Sequence, residues 1–291
     1  MQHKVIDVQD VVIRFTGDSG DGMQLTGSLF ADASAYFGND ISTFPDYPSE
    51  IRAPQGTVAG VSGFQVHIGS GAIYTPGDYC DVLVAMNPAA LKSNVKWLKP
   101  NATIIVDIDT FDQKGLQKAG FQTEDAFAEL KIKNRNIIAA PISTLTKECL
   151  NNCGMDPKSG LRCKNMFALG ICFFLYNMPL KHTEEFFKKH FAKSPGLMDM
   201  NNRVLKDGYN YAGNIQAIAD TYIVKPSKQK PGLYRNINGN RAIAWGLMAA
   251  SEKSGRPLFC GSYPITPATA ILEELAIHKE LGVKTLQCED E

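Results

Sequence analysis

Over the first 220 residues, short apolar runs alternate with segments in which apolar residues have helical spacing. The β-branched run 10–16 predicts a strand, and the apolar positions of 23–37, spaced three to four residues apart, predict a helix. The same patterns predict strands over 80–86, 101–107 and 136–141 and helices beginning near 87, 165 and 183. Short buried strands alternating with helices are typical of an α/β fold, in which a mostly parallel sheet is covered on both faces.

A proline-rich segment interrupts this pattern. Residues 44–56 contain Pro45, Pro48 and Pro54 and predict an irregular but stiff loop, whereas the alternation over 57–68 predicts a strand.

A second α/β unit follows a predicted linker. Residues 223–236 are rich in proline, lysine and glycine, which is typical of an exposed connection. Beyond it the pattern predicts helix 239–250, strand 257–260, helix 268–279 and strand 283–287. We therefore predict one domain over 1–222 and a second over 237–291. The second has only about 55 residues, against the roughly 100 of an ordinary domain, so it is expected to be an incomplete fold.

Composition narrows the class of protein. Lys+Arg 30 balance Asp+Glu 30, which argues against binding to nucleic acid or an anionic membrane by bulk charge. No apolar run reaches the roughly 18 residues of a membrane span, and the first residues do not resemble a signal peptide. The 7 cysteines are an odd number with no C-x-x-C pair. They predict reduced thiols in the cytoplasm and no metal site.

Two loops of the first domain are candidate binding elements. Gly17, Gly20 and Gly22 lie between a strand and a helix, where backbone amides can receive a ligand; the alternative is a tight turn that needs glycine for packing. The glycine spacing differs from the NAD fingerprint, and Asp18 in the loop would repel an anion. Arg52, in the proline-rich loop, either forms a surface ion pair or contacts a ligand or subunit.

The segment Tyr263-Pro-Ile-Thr-Pro267 is the most informative part of the second unit. Its prolines are expected to hold Thr266 in a stiff turn between a strand and a helix. The hydroxyl of Thr266 would either cap that helix or bind a ligand at the carboxyl end of the strand. Glu289 lies in the acidic run that follows the next strand and is either an exposed chain end or part of the same site.

Together these segments resemble the 2-oxoacid:ferredoxin oxidoreductases. The first domain is similar to the gamma domain of that family, and the second to the start of its thiamine-pyrimidine domain. The matching segments are Phe15-Thr-Gly-Asp-Ser-Gly-Asp-Gly-Met23, Phe44-Pro-Asp-Tyr-Pro-Ser-Glu-Ile-Arg-Ala-Pro54, Val84-Ala-Met-Asn-Pro88, Gly239-Asn-Arg-Ala, Gly261-Ser-Tyr-Pro-Ile-Thr-Pro267 and Thr285-Leu-Gln-Cys-Glu-Asp-Glu291. This domain order resembles the alpha subunit of the two-subunit 2-oxoglutarate type. The resemblance implies a Rossmann-like gamma domain followed by the first part of a pyrimidine-binding α/β domain.

The resemblance also implies a chemistry. The family decarboxylates a 2-oxoacid oxidatively with coenzyme A and reduces ferredoxin. Glu289 matches the glutamate that binds N1′ of thiamine diphosphate, and Thr266 would hydrogen-bond the substrate, with Tyr263 and Ile265 beside the cofactor. Magnesium and a 4Fe-4S cluster are expected on a separate beta subunit. Gly17, Gly20, Gly22 and Arg52 would contact coenzyme A or an interface.

Some alternatives stay open from the sequence. The chain ends two residues after Glu289, whereas the family's alpha subunits continue, so we expect no turnover from these 291 residues alone. The substrate is 2-oxoglutarate or, alternatively, pyruvate or a branched-chain 2-oxoacid. The second hypothesis is of a different class: a non-catalytic gamma-type assembly module that only docks partner chains. A nucleotide-dependent dehydrogenase fits poorly, because the glycine spacing is wrong.

Overall fold

The computed structural model describes residues 4–49, 53–151, 160–215, 218, 220–230 and 232–290. The chain divides into two compact units, unit 1 (Met1–Lys230) and unit 2 (Pro231–Glu291), and each is described by itself.

Unit 1 contains eight strands and eight helices among its described residues. The strands are β1 (Lys4–Val8), β2 (Asp10–Asp18), β3 (Asp40–Asp46), β4 (Val61–Gly69), β5 (Cys80–Ala85), β6 (Leu98–Asp107), β7 (Asn136–Ala140) and β8 (Asp220–Val224). The helices are α1 (Met23–Tyr36), α2 (Pro88–Asn94), α3 (Gln113–Lys118), α4 (Ala126–Glu129), α5 (Ile142–Asn151), α6 (Lys164–Leu175), α7 (Lys181–His190) and α8 (Pro195–Asn214). Short 3-10 turns lie at Val58–Gly60, Val95–Trp97, Ile108–Thr110 and Leu161–Cys163.

Six of these strands form one sheet in the order β3-β4-β2-β5-β6-β7. β2, β5, β6 and β7 are parallel to one another, while β4 runs antiparallel to both β2 and β3. The predicted α/β class and mostly parallel sheet are therefore confirmed. The irregular segment predicted over 44–56 is wrong at its start, because Phe44 and Pro45 belong to β3. Proline is tolerated there since β3 is an edge strand, where one side of the backbone needs no ladder hydrogen bond.

Helices cover both faces of the sheet. On one face, the buried aromatic residues Phe15, Phe30, Phe167 and Phe173 join β2, α1 and α6 in a single core. On the other face, Leu91 of α2 packs with the inward residues of β5 and β6. The two cores use opposite sides of the same apolar strands, which explains why those strands are nearly continuous apolar runs.

A second, two-stranded parallel sheet joins the ends of unit 1. β1 pairs with β8 over residues 4–8 and 220–224, a pairing that the sequence did not predict. The side chain of Asn39 donates to the carbonyls of Val224 (3.0 Å) and Lys225 (2.9 Å), and the Ser227 amide donates to Gly38. The first residues of the predicted linker 223–236 are therefore held against unit 1. The domain bounds themselves stay a prediction.

Unit 2 contains α9 (Gly239–Ser254), β9 (Phe259–Ser262), α10 (Thr269–Ile277), a 3-10 turn at Lys279–Leu281, and β10 (Lys284–Gln287). β9 and β10 are parallel neighbours. A small core of Ala244, Leu275 and Val283 joins the helices to the sheet. In the described parts of both units, no helix combines the length and apolarity needed to cross a membrane.

Candidate active-site edge and glycine loop

The parallel pairing of β9 and β10 brings two predicted site segments to one edge of the small sheet. Ser262 at the end of β9 is the register partner of Gln287 at the end of β10, and the Cys288 amide donates to the Ser262 carbonyl at 2.9 Å. The segments 263–267 and 288–290 therefore leave from the same carboxyl edge. That edge is where α/β proteins place their ligands.

Thr266 and Glu289 both present polar groups to solvent at this edge. Both residues are exposed, and among the described residues neither the Thr266 hydroxyl nor the Glu289 carboxylate has a hydrogen-bond or ion-pair partner. Ile265 is 42% exposed, and Tyr263 is half-buried. The hydroxyl and the carboxylate are thus available to a bound molecule.

Thr266 does not cap the helix, so that alternative from the sequence is wrong. α10 begins at Thr269, and its cap position is Ala268, which makes no side-chain cap. Instead the Thr269 hydroxyl accepts from the Ile265 amide at 2.9 Å and donates to the Ile265 carbonyl at 3.0 Å. Thr269 closes the turn, which leaves the Thr266 hydroxyl free of a structural role.

A residue from another element also holds this segment. The Asn240 side-chain amide, in the first turn of α9, donates to the Pro267 carbonyl at 2.8 Å. Asn240 could not be predicted from the sequence, because 27 residues separate it from Pro267 and no local pattern links them. Thr269 could have been found as a hydroxyl residue at a helix start.

Glu274 of α10 ties α9 to α10. Its carboxylate accepts from the Trp245 indole at 2.7 Å and pairs with Arg241 at 3.2 Å. The indole hydrogen bond, supported by the Arg241 guanidinium, lowers the pKa of Glu274 from its ordinary value. These contacts keep the first turn of α9, which carries Asn240, in register with the start of α10.

The glycine loop of unit 1 lies at a change of direction in the sheet. After β2 the chain passes through α1 to β3 and β4 on one side, and after β5 it passes through α2 to β6 on the other. α1 and α2 pack on opposite faces. The carboxyl edge between β2 and β5 is therefore a topological switch point, the crevice where open α/β sheets bind ligands.

Internal contacts also give the loop a structural reason for its glycines. Gly22 has φ 74°, and a Cβ added there would lie 2.6 Å from the Asn165 amide nitrogen. A Cβ on the buried Gly17 would lie 2.9 Å from a carboxylate oxygen of Asp21. Gly20 is exposed, with open space around it. Two of the three glycines are thus required by packing, and Gly20 is not.

The carboxylates of this loop are committed to its own fold. Asp18 accepts from the Gly56 amide at 2.9 Å, and Asp21 accepts from the Asp18 amide at 3.0 Å and pairs with Lys164 at 3.2 Å. Burial raises the pKa of Asp18. With two carboxylates beside one lysine, the loop does not present the positive field expected of a phosphate site.

The proline-rich loop is only partly described. Glu50 and Arg52, of which Arg52 is a predicted site residue, lie outside the described residues. Before them, Asp46 forms an ion pair with the buried guanidinium of Arg14, which also donates to Asn94 (2.6 Å) and Gln65 (3.1 Å). This network ties β2, β3, β4 and α2 together, and no local sequence pattern predicts it.

The described residues contain no group of three His, Cys, Asp or Glu side chains arranged to hold a metal ion.

Comparison with known proteins defines the class to which this fold and site belong. The sequence matches the family described as pyruvate ferredoxin/flavodoxin oxidoreductase over residues 12–211. The chain belongs to this family, which confirms the resemblance drawn from its motifs.

Two individual relatives also match this chain. The chain is 46% identical over 284 residues to a Mycobacterium tuberculosis protein named 2-oxoglutarate oxidoreductase subunit KorA, covering 98% of this chain and 43% of the relative. It is 24% identical over 201 residues to the indolepyruvate oxidoreductase subunit IorB of Archaeoglobus fulgidus, covering 67% of this chain and 92% of that protein.

A solved structure of the same enzyme family also matches this chain. The 2-oxoglutarate:ferredoxin oxidoreductase of Magnetococcus marinus, described with 2-oxoglutarate, coenzyme A and succinyl-CoA bound, matches 97% of this chain and 44% of its own, with 27% identity and TM-score 0.72. The chain thus spans less than half the length of this enzyme and of the mycobacterial relative.

Proposed function

We propose that this chain is the N-terminal part of the alpha subunit of a 2-oxoacid:ferredoxin oxidoreductase. The complete enzyme would convert 2-oxoglutarate and coenzyme A to succinyl-CoA and CO₂, reducing ferredoxin in the cytoplasm. The observation that carries the proposal is the 46% identity, over nearly the whole chain, to a 2-oxoglutarate oxidoreductase subunit. Its partners would be a beta subunit and ferredoxin.

Glu289 and Thr266 are the proposed catalytic and substrate-binding residues. Thiamine diphosphate, shared with the beta subunit, would supply the carbanion chemistry when bound. The Glu289 carboxylate would hydrogen-bond N1′ of its aminopyrimidine and exchange a proton there, while Tyr263 and Ile265 would line the ring. The Thr266 hydroxyl would donate to an oxygen of the 2-oxoacid. The free polar groups of both residues at one sheet edge support these roles.

The places of the other cofactors follow from the resemblance to the family. Magnesium and the 4Fe-4S cluster would lie on the beta subunit. The loop carrying Gly17, Gly20 and Gly22, with Arg52, would contact coenzyme A or a partner subunit. Its position at the topological switch point supports binding, and its carboxylates favour the uncharged part of such a ligand.

The test uses the complete subunit that contains this chain, assembled with its beta subunit. Glu289→Gln keeps the size of the side chain but cannot exchange the proton, and we expect kcat to fall by about 10²–10⁴-fold. Thr266→Ala removes one hydrogen bond to a charged substrate, so KM for 2-oxoglutarate should rise by roughly 10-fold or more. Glu273→Gln, on the exposed surface of α10, is the matched control.

Assembly is measured in parallel by gel filtration. Loss of turnover with intact assembly supports the enzyme proposal, and unchanged turnover in both variants refutes the assigned roles. If both variants assemble poorly but every assembled complex is fully active, the alternative of a gamma-type assembly module gains support. Rates with pyruvate and a branched-chain 2-oxoacid, compared as kcat/KM, test the choice of substrate.

A further inference from the structure

We infer that Asn240 and Thr269 are positioning residues that fix Thr266 for the substrate, an inference that rests on the proposed function. Neither side chain needs to touch the 2-oxoacid. Each instead bonds to the backbone beside Thr266.

The backbone carbonyls on both sides of Thr266 are already bonded. The Ile265 carbonyl accepts from the hydroxyl and the amide of Thr269, both at 3.0 Å, and the Ile265 amide donates to the same hydroxyl at 2.9 Å. The Pro267 carbonyl accepts from the Asn240 side chain at 2.8 Å. The residues on both sides of Thr266 are therefore held from two directions, while its hydroxyl is left free.

Asn240 and Thr269 lie on two helices that are joined to each other by side-chain contacts. Asn240 lies in the first turn of α9, where the side chain of Asn238 caps the Arg241 amide at 2.9 Å. Glu274 joins that turn to α10 through Arg241 and Trp245. Thr269 is the first residue of α10. The position of Thr266 is thus set by the packing of α9 on α10 rather than by the exposed segment alone.

Rigid placement matters because a small displacement of a positioned group costs rate. A misplacement of about 1 Å can lower turnover roughly 10²-fold. Without the Asn240 hydrogen bond, the segment around Thr266 loses its support at Pro267 only, since Thr269 still holds Ile265. We therefore expect Asn240→Ala to lower kcat/KM for 2-oxoglutarate by about 10-fold, less than full displacement would.

A double-mutant cycle in the assembled enzyme separates positioning from a general structural effect. If Asn240 acts only through Thr266, the double variant Asn240→Ala/Thr266→Ala should be no slower than Thr266→Ala alone. The matched control is Ser251→Ala, near the other end of α9. It loses the hydrogen bond from the Ser251 hydroxyl to the Arg256 carbonyl (2.6 Å) and should lower the melting temperature while leaving kcat/KM within about 2-fold.

Thr269 gives an independent variant. Thr269→Ser keeps the hydroxyl and should retain kcat/KM. Thr269→Val removes the hydroxyl and should lower kcat/KM. In the double variant with Thr266→Ala, Thr269→Val should cause no further loss of kcat/KM. These two variants test the inference even if Asn240→Ala folds poorly.

The outcomes are distinguishable. If Thr266→Ala reduces kcat/KM but Asn240→Ala and Thr269→Val do not, the positioning inference is overturned and the proposed function stands. Additive losses in the double variants also overturn it, because they require a route that bypasses Thr266. If Thr266→Ala has no effect, the assigned substrate role fails, and the inference fails with it.

Discussion

The close contact between α6 and α8 allows a sharp test of the fold. Gly208 of α8 faces the backbone of Phe167 in α6. A Cβ at Gly208 would meet the Phe167 carbonyl oxygen and lie 2.8 Å from its Cα. Ordinary contacts begin near 3.4 Å, so Gly208→Ala forces the two helices apart by about 0.6 Å or more. Backbone atoms cannot rotate away as a side chain would.

The size of the effect follows from this geometry. Overpacking of a well-packed core costs about 1–3 kcal/mol, and rigid backbone neighbours place this site at the upper end. The helix preference of alanine returns up to about 1 kcal/mol. We expect a net loss of about 2 kcal/mol, which lowers the melting temperature of a unit of this size by about 4–8 °C. Gly196→Ala in the same helix meets open space and should be neutral or slightly stabilising.

Thermal unfolding monitored by tryptophan fluorescence measures this change in melting temperature. The chain has two tryptophans, Trp97 in unit 1 and Trp245 in unit 2, so Trp245→Phe leaves a reporter for unit 1 alone. Both glycine variants are compared in that background. If Gly208→Ala melts within about 1 °C of the parent, the helices separate at no cost, and the reasoning about backbone contact is wrong.

Two further predictions concern single side chains that join separate elements. Because hydrogen bonding lowers the pKa of Glu274, its ionised form stabilises unit 2 above the ordinary pKa of 4.5. This stabilisation should be lost as pH falls through the folded-state pKa. Glu274→Gln should therefore flatten the acid side of the curve of stability against pH, as recorded by Trp245 fluorescence. Asn39→Ala should release the carbonyls of Val224 and Lys225, so amides of β8 should exchange hydrogen several-fold faster, and unchanged exchange would contradict that role.

Much of the secondary structure was predictable because local chemistry decides it. The β-branched run that became β2 and the periodic apolar positions of α1 determine those elements through their own spacing. The motif around Thr266 likewise pointed to the correct family. These features depend on neighbours in the chain, which the sequence displays directly.

Contacts between distant residues were decided only by the tertiary structure. β1 pairs with β8 more than 200 residues away, Arg14 gathers Asp46 and Asn94 from separate elements, and Asn240 reaches the Pro267 carbonyl across 27 residues. A single hydrogen bond leaves no periodic pattern in either segment that forms it. The sequence alone determined the elements and the family, whereas packing decided which side chains hold the site, because that depends on how the elements meet in space.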